Sequence, residues 1–201
     1  MGDGVGTLKR VDARELDADY RAVLSPGEVV GTRAGTVHLP RYFYEVPSWE
    51  AALETRLSTY FGAFEFLDVD VREAEPLRGF PRYLPCAVTA FAAVLDRFRV
   101  AVGGPVRIAA NGGYRSPAHA LSVPQSPHLW GAAADVYKVG GEYMDDPDRI
   151  RRYAEVARES VPGLWVKPVG DGPGLAFDHL HLDLGYLTLT PRFTRMEGQK
   201  S

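Results

Sequence analysis

The stretch "SPHLWGAAAD", residues 126–135, constrains the fold more tightly than any other part of the chain. It sets His128 and Asp135 seven positions apart, with a glycine and three alanines between them. Gly131 lets the backbone turn tightly, and Ala132, Ala133 and Ala134 carry too little side chain to fill a core by themselves. The segment reads as a loop bearing His128, a turn at Gly131 and a strand that delivers Asp135, with the alanines giving clearance for whatever the two polar side chains hold. The competing reading is a helix-favouring alanine run inside a packed core.

Hydrophobic periodicity supplies the frame around this segment. Val88, Phe91, Leu95, Phe98 and Val102 alternate steps of three and four before "GGP", which predicts an amphipathic helix facing the core. Ser48 is an N-cap for a second helix with Trp49, Leu53, Leu57 and Tyr60 on one face. A third starts at Asp146 and Pro147 and turns Ile150, Tyr153, Ala154 and Ala157 inward. "VRIAA" (106–110), "LWVKPV" and "AFDHLHLDLG" read as strands, and "NGGYRSP" as a loop. Helices first, then strands mixed with a helix, point to an α+β fold. Residues 1–46 read as an N-terminal arm packed on a body of residues 47–190, with a polar tail at 191–201.

A chain of 201 residues, 45% of them hydrophobic, is enough for one sizeable core. A formal net charge of −3 provides no basic field for nucleic acid, which is excluded as a first choice of partner. The single cysteine, Cys86, excludes an internal disulfide framework and a cysteine-based zinc finger, and its apolar surroundings mark it as core. No stretch approaches the ~18 apolar residues of a membrane span, and the N-terminus lacks the apolar segment of a secretory signal. Oligomeric state and compartment are not written in the sequence.

Of the five histidines, His38, His119, His128, His179 and His181, the last two stand in "DHLHLD". Two positions apart on a strand, they leave the same face about 5–7 Å from one another. Both protonated, they would repel; a metal removes that conflict by requiring neutral ligands. His128, Asp135 and one member of the pair make a two-histidine, one-carboxylate set, and a fourth tetrahedral position left to water is the pattern of catalytic zinc sites. Strict alternation puts His179, His181 and Asp183 on one face and Asp178 on the other. His38 is assigned to the arm, and His119 either lines the cleft or sits on a surface loop. Core packing is the preferred reading of Trp130 and Trp165.

These residues carry a family resemblance. "SPHLWGAAAD" resembles the Ser-x-His-x-x-Gly-x-Ala-x-Asp signature of the zinc D-Ala-D-Ala carboxypeptidase and dipeptidase family, whose fold is shared with the signalling domain of hedgehog proteins. "GYRSPAH" resembles the segment that family carries before its first ligand, and "DHLHLD" its closing motif. The three parts occur in the family's order and span about residues 80–190. The resemblance implies a hedgehog/DD-peptidase-like fold, a small antiparallel sheet with flanking helices and one zinc ion in a cleft. It implies His128, Asp135 and His181 as zinc ligands, Asp178 as catalytic acid/base and Arg115 as the group that steadies the substrate carbonyl. His179, Ser126 and Tyr114 fall at positions near the substrate or behind the ligands.

The implied activity is hydrolysis of peptide bonds involving D-alanine or related peptidoglycan-stem residues, by a metal-activated water and a carboxylate base. The alternatives are a noncatalytic, hedgehog-like zinc module binding a cell-wall ligand or protein, and a metal-free structural domain. Asp183 rivals Asp178 as base: it has the better face and Asp178 the family position. Carboxypeptidase, dipeptidase and endopeptidase action all remain open, and a cell-wall substrate would imply export.

Overall fold

Capping side chains set several boundaries in the computed structural model, which describes residues 8–32, 35–74, 79–110, 112–172 and 174–188. The helices are α1 (Ala18–Leu24), α2 (Trp49–Glu54), α3 (Ala63–Glu73), α4 (Val88–Ala101) and α5 (Pro147–Ser160). The Ser48 hydroxyl accepts from the Ala51 N–H at 3.1 Å to start α2, and the Asp146 carboxylate accepts from the Arg149 N–H at 2.8 Å to start α5. α4 follows its expected repeat, with Val88, Phe91, Leu95 and Phe98 buried and Val102 at its C-cap. Gly103 stops it with a left-handed φ of 65°.

α2 is shorter than its pattern predicts. It stops at Glu54, so Leu57 and Tyr60 leave the helix. The cause is Asp96 on α4, whose carboxylate accepts from Ser58 Oγ and from the N–H groups of Thr59 and Tyr60 at 2.8–3.1 Å. Those bonds offer the backbone an alternative to the helical ladder.

The strands are β1 (Lys9–Asp12), β2 (Val29–Thr32), β3 (Gly35–His38), β4 (Tyr42–Val46), β5 (Arg82–Pro85), β6 (Val106–Arg107), β7 (Ala133–Val136), β8 (Lys138–Val139), β9 (Glu142–Tyr143), β10 (Trp165–Val166) and β11 (Leu180–Asp183). They form small antiparallel sheets in the orders β1-β4-β5, β10-β11-β7 and β6-β8-β9, and a β2-β3 hairpin. The molecule is thus mixed α+β. "VRIAA" pairs only over its first two residues, because the chain turns after the buried Ile108, where the Gly112 N–H reaches the Ile108 carbonyl at 2.7 Å.

One large core joins these pieces. Phe66 of α3, Phe91, Leu95 and Phe98 of α4 and Ile150 of α5 meet Leu180 and Leu182 of β11. Ala13, Leu24, Phe43 and Val46, from the N-terminal 46 residues, enter the same core, and β4 pairs directly with β5. Cys86 is buried as expected, and burial pushes its thiol up to about 11. The tail at 191–201 lies outside the described residues. No helix among the described residues is long and apolar enough to cross a membrane.

Candidate metal centre

The sheet β10-β11-β7 sorts its side chains by alternation. Asp135 stands opposite His181 and Ala133 opposite Asp183, while Trp165 faces Asp183 from the other side. Ala134, Val136, Leu180 and Leu182 therefore enter the core, and Asp135, His181, Asp183 and Trp165 share the opposite face. Ala133 and Ala134 lie in strand β7 and Ala132 just precedes it, so the run is not helical. Of its three members only Ala133 lies on the face of Asp135; Ala134 packs in the main core and Ala132 in a smaller cluster with Leu39, Leu129 and Trp130. The clearance expected of all three is provided by one.

His128 arrives from a 3-10 turn, Pro127–Trp130, that Gly131 ends with a left-handed φ of 62°, its N–H returning to the His128 carbonyl. The His128 Nδ1–H donates to the Gly113 carbonyl at 2.8 Å, which leaves Nε2 as the free ligand atom, 3.4 Å from Asp135 Oδ1. His181 turns Nδ1 to the same oxygen at 2.7 Å, while its Nε2 donates to Asp183 Oδ2 at 2.9 Å. Arg115 Nη2 pairs with the other oxygen of Asp135. One ligand atom from each of His128, Asp135 and His181 lies within 4.8 Å of the others, and all three residues are buried.

Two of the three charge states suit a cation, and the third, His181, must give up a proton to ligate one. Burial pushes the His128 imidazole down from its ordinary value against the pull of Asp135, so it stays neutral near physiological pH. Burial also opposes ionisation of Asp135, yet the imidazoles beside it hold its carboxyl well below the usual range. For His181, burial acts downward but the hydrogen bonds to Asp135 and Asp183 win and raise it. Two imidazole nitrogens and a carboxylate, buried and convergent, form a donor set that can hold a metal ion.

The other expected residues divide. Asp178 and His179 precede β11, outside the regular pleat, so alternation does not govern them. His179 Nδ1 meets Asp178 Oδ1 at 2.6 Å and its Nε2 lies 3.5 Å from Asp135 Oδ1, linking Asp178 to the cluster. Ser126 is half-buried at the cap of the 3-10 turn and makes no side-chain cap bond. Tyr114 is not brought to the cluster: its ring lies in the main core at 1% exposure, its hydroxyl has no partner among the described residues, and burial holds the phenol well above its ordinary range.

His119 is neither on the surface nor in the cluster. It is buried beside the end of α3, with Nδ1 accepting from the Leu121 N–H at 3.1 Å and Nε2 3.2 Å from Glu73. Trp130 is core, its Nε1 donating to the His38 carbonyl. Trp165 is not. Half-exposed, it sets its ring edgewise to His181 at 5.7 Å and borders a cleft of about 1270 Å³ that also exposes His181, Asp183 and Lys167.

Sequence reasoning missed three supports of the centre. Asp183 was weighed as a base and not as a partner of His181, although its i+2 spacing was the available signal. Gly113 carries the carbonyl that orients His128 and passes so close to Phe66 that a Cβ there would meet the ring at 2.3 Å. Asp70 of α3 accepts from the Ser116 N–H at 2.6 Å and from Arg82 at 2.7 Å, fixing the loop that presents Arg115; nothing in the spacing announces it. Comparison with protein-family models, with curated proteins and with solved structures returned no match.

Proposed function

We propose that this protein is a zinc-dependent peptidase of the hedgehog/DD-peptidase type, acting on peptide bonds that involve D-alanine or related peptidoglycan-stem residues. The observation that carries the reading is the convergence of His128, Asp135 and His181, each from a different element and each with its orientation fixed by a second group. His128 through Nε2, Asp135 through Oδ1 and His181 through Nδ1 would hold the zinc. Bound there, zinc acts as a Lewis acid that polarises a carbonyl and acidifies a water.

The remaining steps belong to the chain. Asp183 is committed to His181 Nε2 and, through Oδ1, to the Gly185 N–H at 2.8 Å, and its side chain is only 8% exposed. It positions the ligand. Asp178, with a side chain 57% exposed, is open to exchange protons with substrate and solvent. It takes the proton of the attacking water and passes it to the leaving amine. His179, bonded to Asp178, holds that carboxylate toward the cluster. Arg115, against Asp135, stabilises the charge that develops on the carbonyl oxygen.

The test is to incubate zinc-loaded protein with D-Ala-D-Ala, a stem pentapeptide and intact peptidoglycan, and to identify the products by mass. Elemental analysis should find one zinc per chain. Asp178→Ala should keep the metal and lose at least ~100-fold in turnover, the scale of a missing general base. Full activity in that variant would remove Asp178 from its role. Stoichiometric zinc and ligand binding without product would identify a noncatalytic binding module instead.

A further inference from the structure

Lys167 extends the register of β10 and β11. Trp165 pairs with Asp183 and Val166 with Leu182, so Lys167 comes opposite His181, and its N–H donates to the His181 carbonyl at 3.2 Å. By alternation Lys167 shares a face with Trp165, His181, Asp183 and Asp135. Neighbouring strands are about 4.8 Å apart, a gap that a four-carbon lysine stem spans with ease. Lys167 lines the same cleft as Trp165, His181 and Asp183, and among the described residues no carboxylate pairs with its ammonium.

The charges around it make that cation specific. Asp135 already holds Arg115, and Asp183 already holds His181 and the Gly185 N–H. Lys167 is therefore placed to meet an anion that enters the cleft, with the half-exposed face of Trp165 beside it to cover an apolar group.

We propose that Lys167 is the carboxylate anchor of this cleft, selecting substrates that present a carboxylate next to a small apolar side chain packed on Trp165. The inference deepens the peptidase reading and rests on it for the word substrate. A free C-terminus and an acidic side chain both supply such a carboxylate. The first would make the enzyme an exopeptidase that removes a terminal residue; the second would have it cut beside an acidic residue.

Binding to zinc-loaded protein separates these without depending on turnover. Three probes suffice: N-acetyl-D-alanine, N-acetyl-D-alaninamide and N-acetyl-D-glutamic acid α-amide, each titrated calorimetrically into wild type, Lys167→Met and Lys167→Arg. Wild type should prefer a carboxylate probe over the alaninamide by about tenfold or more, the scale of a charged hydrogen bond. Lys167→Met should abolish that preference while retaining one zinc per chain and its affinity for the alaninamide, and Lys167→Arg should restore part of it. Preference for N-acetyl-D-alanine identifies the C-terminal carboxylate, and preference for the glutamic acid α-amide the side-chain one; either supports the anchor. Equal binding of all three probes by wild type, or an undiminished preference in Lys167→Met, overturns it. Failure of hydrolysis with the Lys167-dependent preference intact would overturn the peptidase reading and leave the anchor standing.

Discussion

Asp183 is the side chain that orients His181 behind the candidate metal centre. Its Oδ2 takes the Nε2–H of His181, which fixes the tautomer, turns Nδ1 toward Asp135 and makes the ring a better donor. Removing it leaves His181 where packing puts it but free to rotate and to choose its protonated nitrogen. Asp183→Ala should therefore weaken zinc binding by about 10–100-fold, the usual cost of losing such a partner, with little change in circular dichroism. Competition against a chromophoric chelator measures this. An unchanged affinity would mean that β11 alone orients the ring.

The cluster of His128, Asp135 and His181 was legible in part: the spacing marked His128, Asp135 and one histidine of the 179/181 pair, and the family resemblance, not the spacing, pointed to His181. The fate of Trp165 was not legible. Its partner is set by the register of a two-residue strand, and nothing local distinguishes a tryptophan facing a cleft from one facing a core.

Among the elements, the loop 112–116 joins the centre to the helical layer. It carries the Gly113 carbonyl on one side and Arg115 on the other, and α3 holds it through Asp70. Asp70 and Arg82 form an ion pair in which both side chains are 3% exposed. Truncating one member strands the other charge in the interior, which costs about 3–5 kcal/mol. Asp70→Ala should lower the midpoint of urea unfolding accordingly. The double variant Asp70→Leu/Arg82→Met removes both charges and should recover much of the stability, since an apolar pair of similar volume is often no worse. It cannot restore the acceptor for the Ser116 N–H. Zinc affinity should remain impaired in the double variant even as stability returns; full recovery of both would show that the loop keeps its place without Asp70.

At this scale the periodic helices were readable from the sequence: α4 by its burial pattern and the glycine that stops it, α5 by its burial pattern and its Asp146 cap. α2 was overextended because its competitor, the Asp96 carboxylate, sits about 40 residues downstream on another helix. The tie from Asp70 to Ser116 spans 46 residues and was hidden for the same reason. Long-range polar contacts leave no period in the sequence.

For the whole molecule, the question is what a bound metal adds to a fold that already has a core. The main cluster runs from Ala13 near the N-terminus to Leu182 of β11 and draws on all five helices. A chain of 201 residues with such a core does not depend on a metal to fold, in contrast to small zinc domains that are unfolded without it. On the proposed reading, zinc would bind only the folded arrangement of His128, Asp135 and His181 and so would stabilise by mass action, by about 4 kcal/mol when free zinc is a thousand times its Kd. For a chain of this size that corresponds to roughly 8–16 °C in Tm. Chelation should therefore lower Tm by an amount of that order while leaving the far-ultraviolet circular dichroism at 25 °C unchanged. Restored zinc should raise it again in proportion to the logarithm of its concentration. His128→Ala should show the same Tm with and without zinc. Loss of secondary structure on chelation would mean that the metal, and not the core, holds the sheet β10-β11-β7 together; a Tm indifferent to zinc would mean that the three ligands pair only with one another.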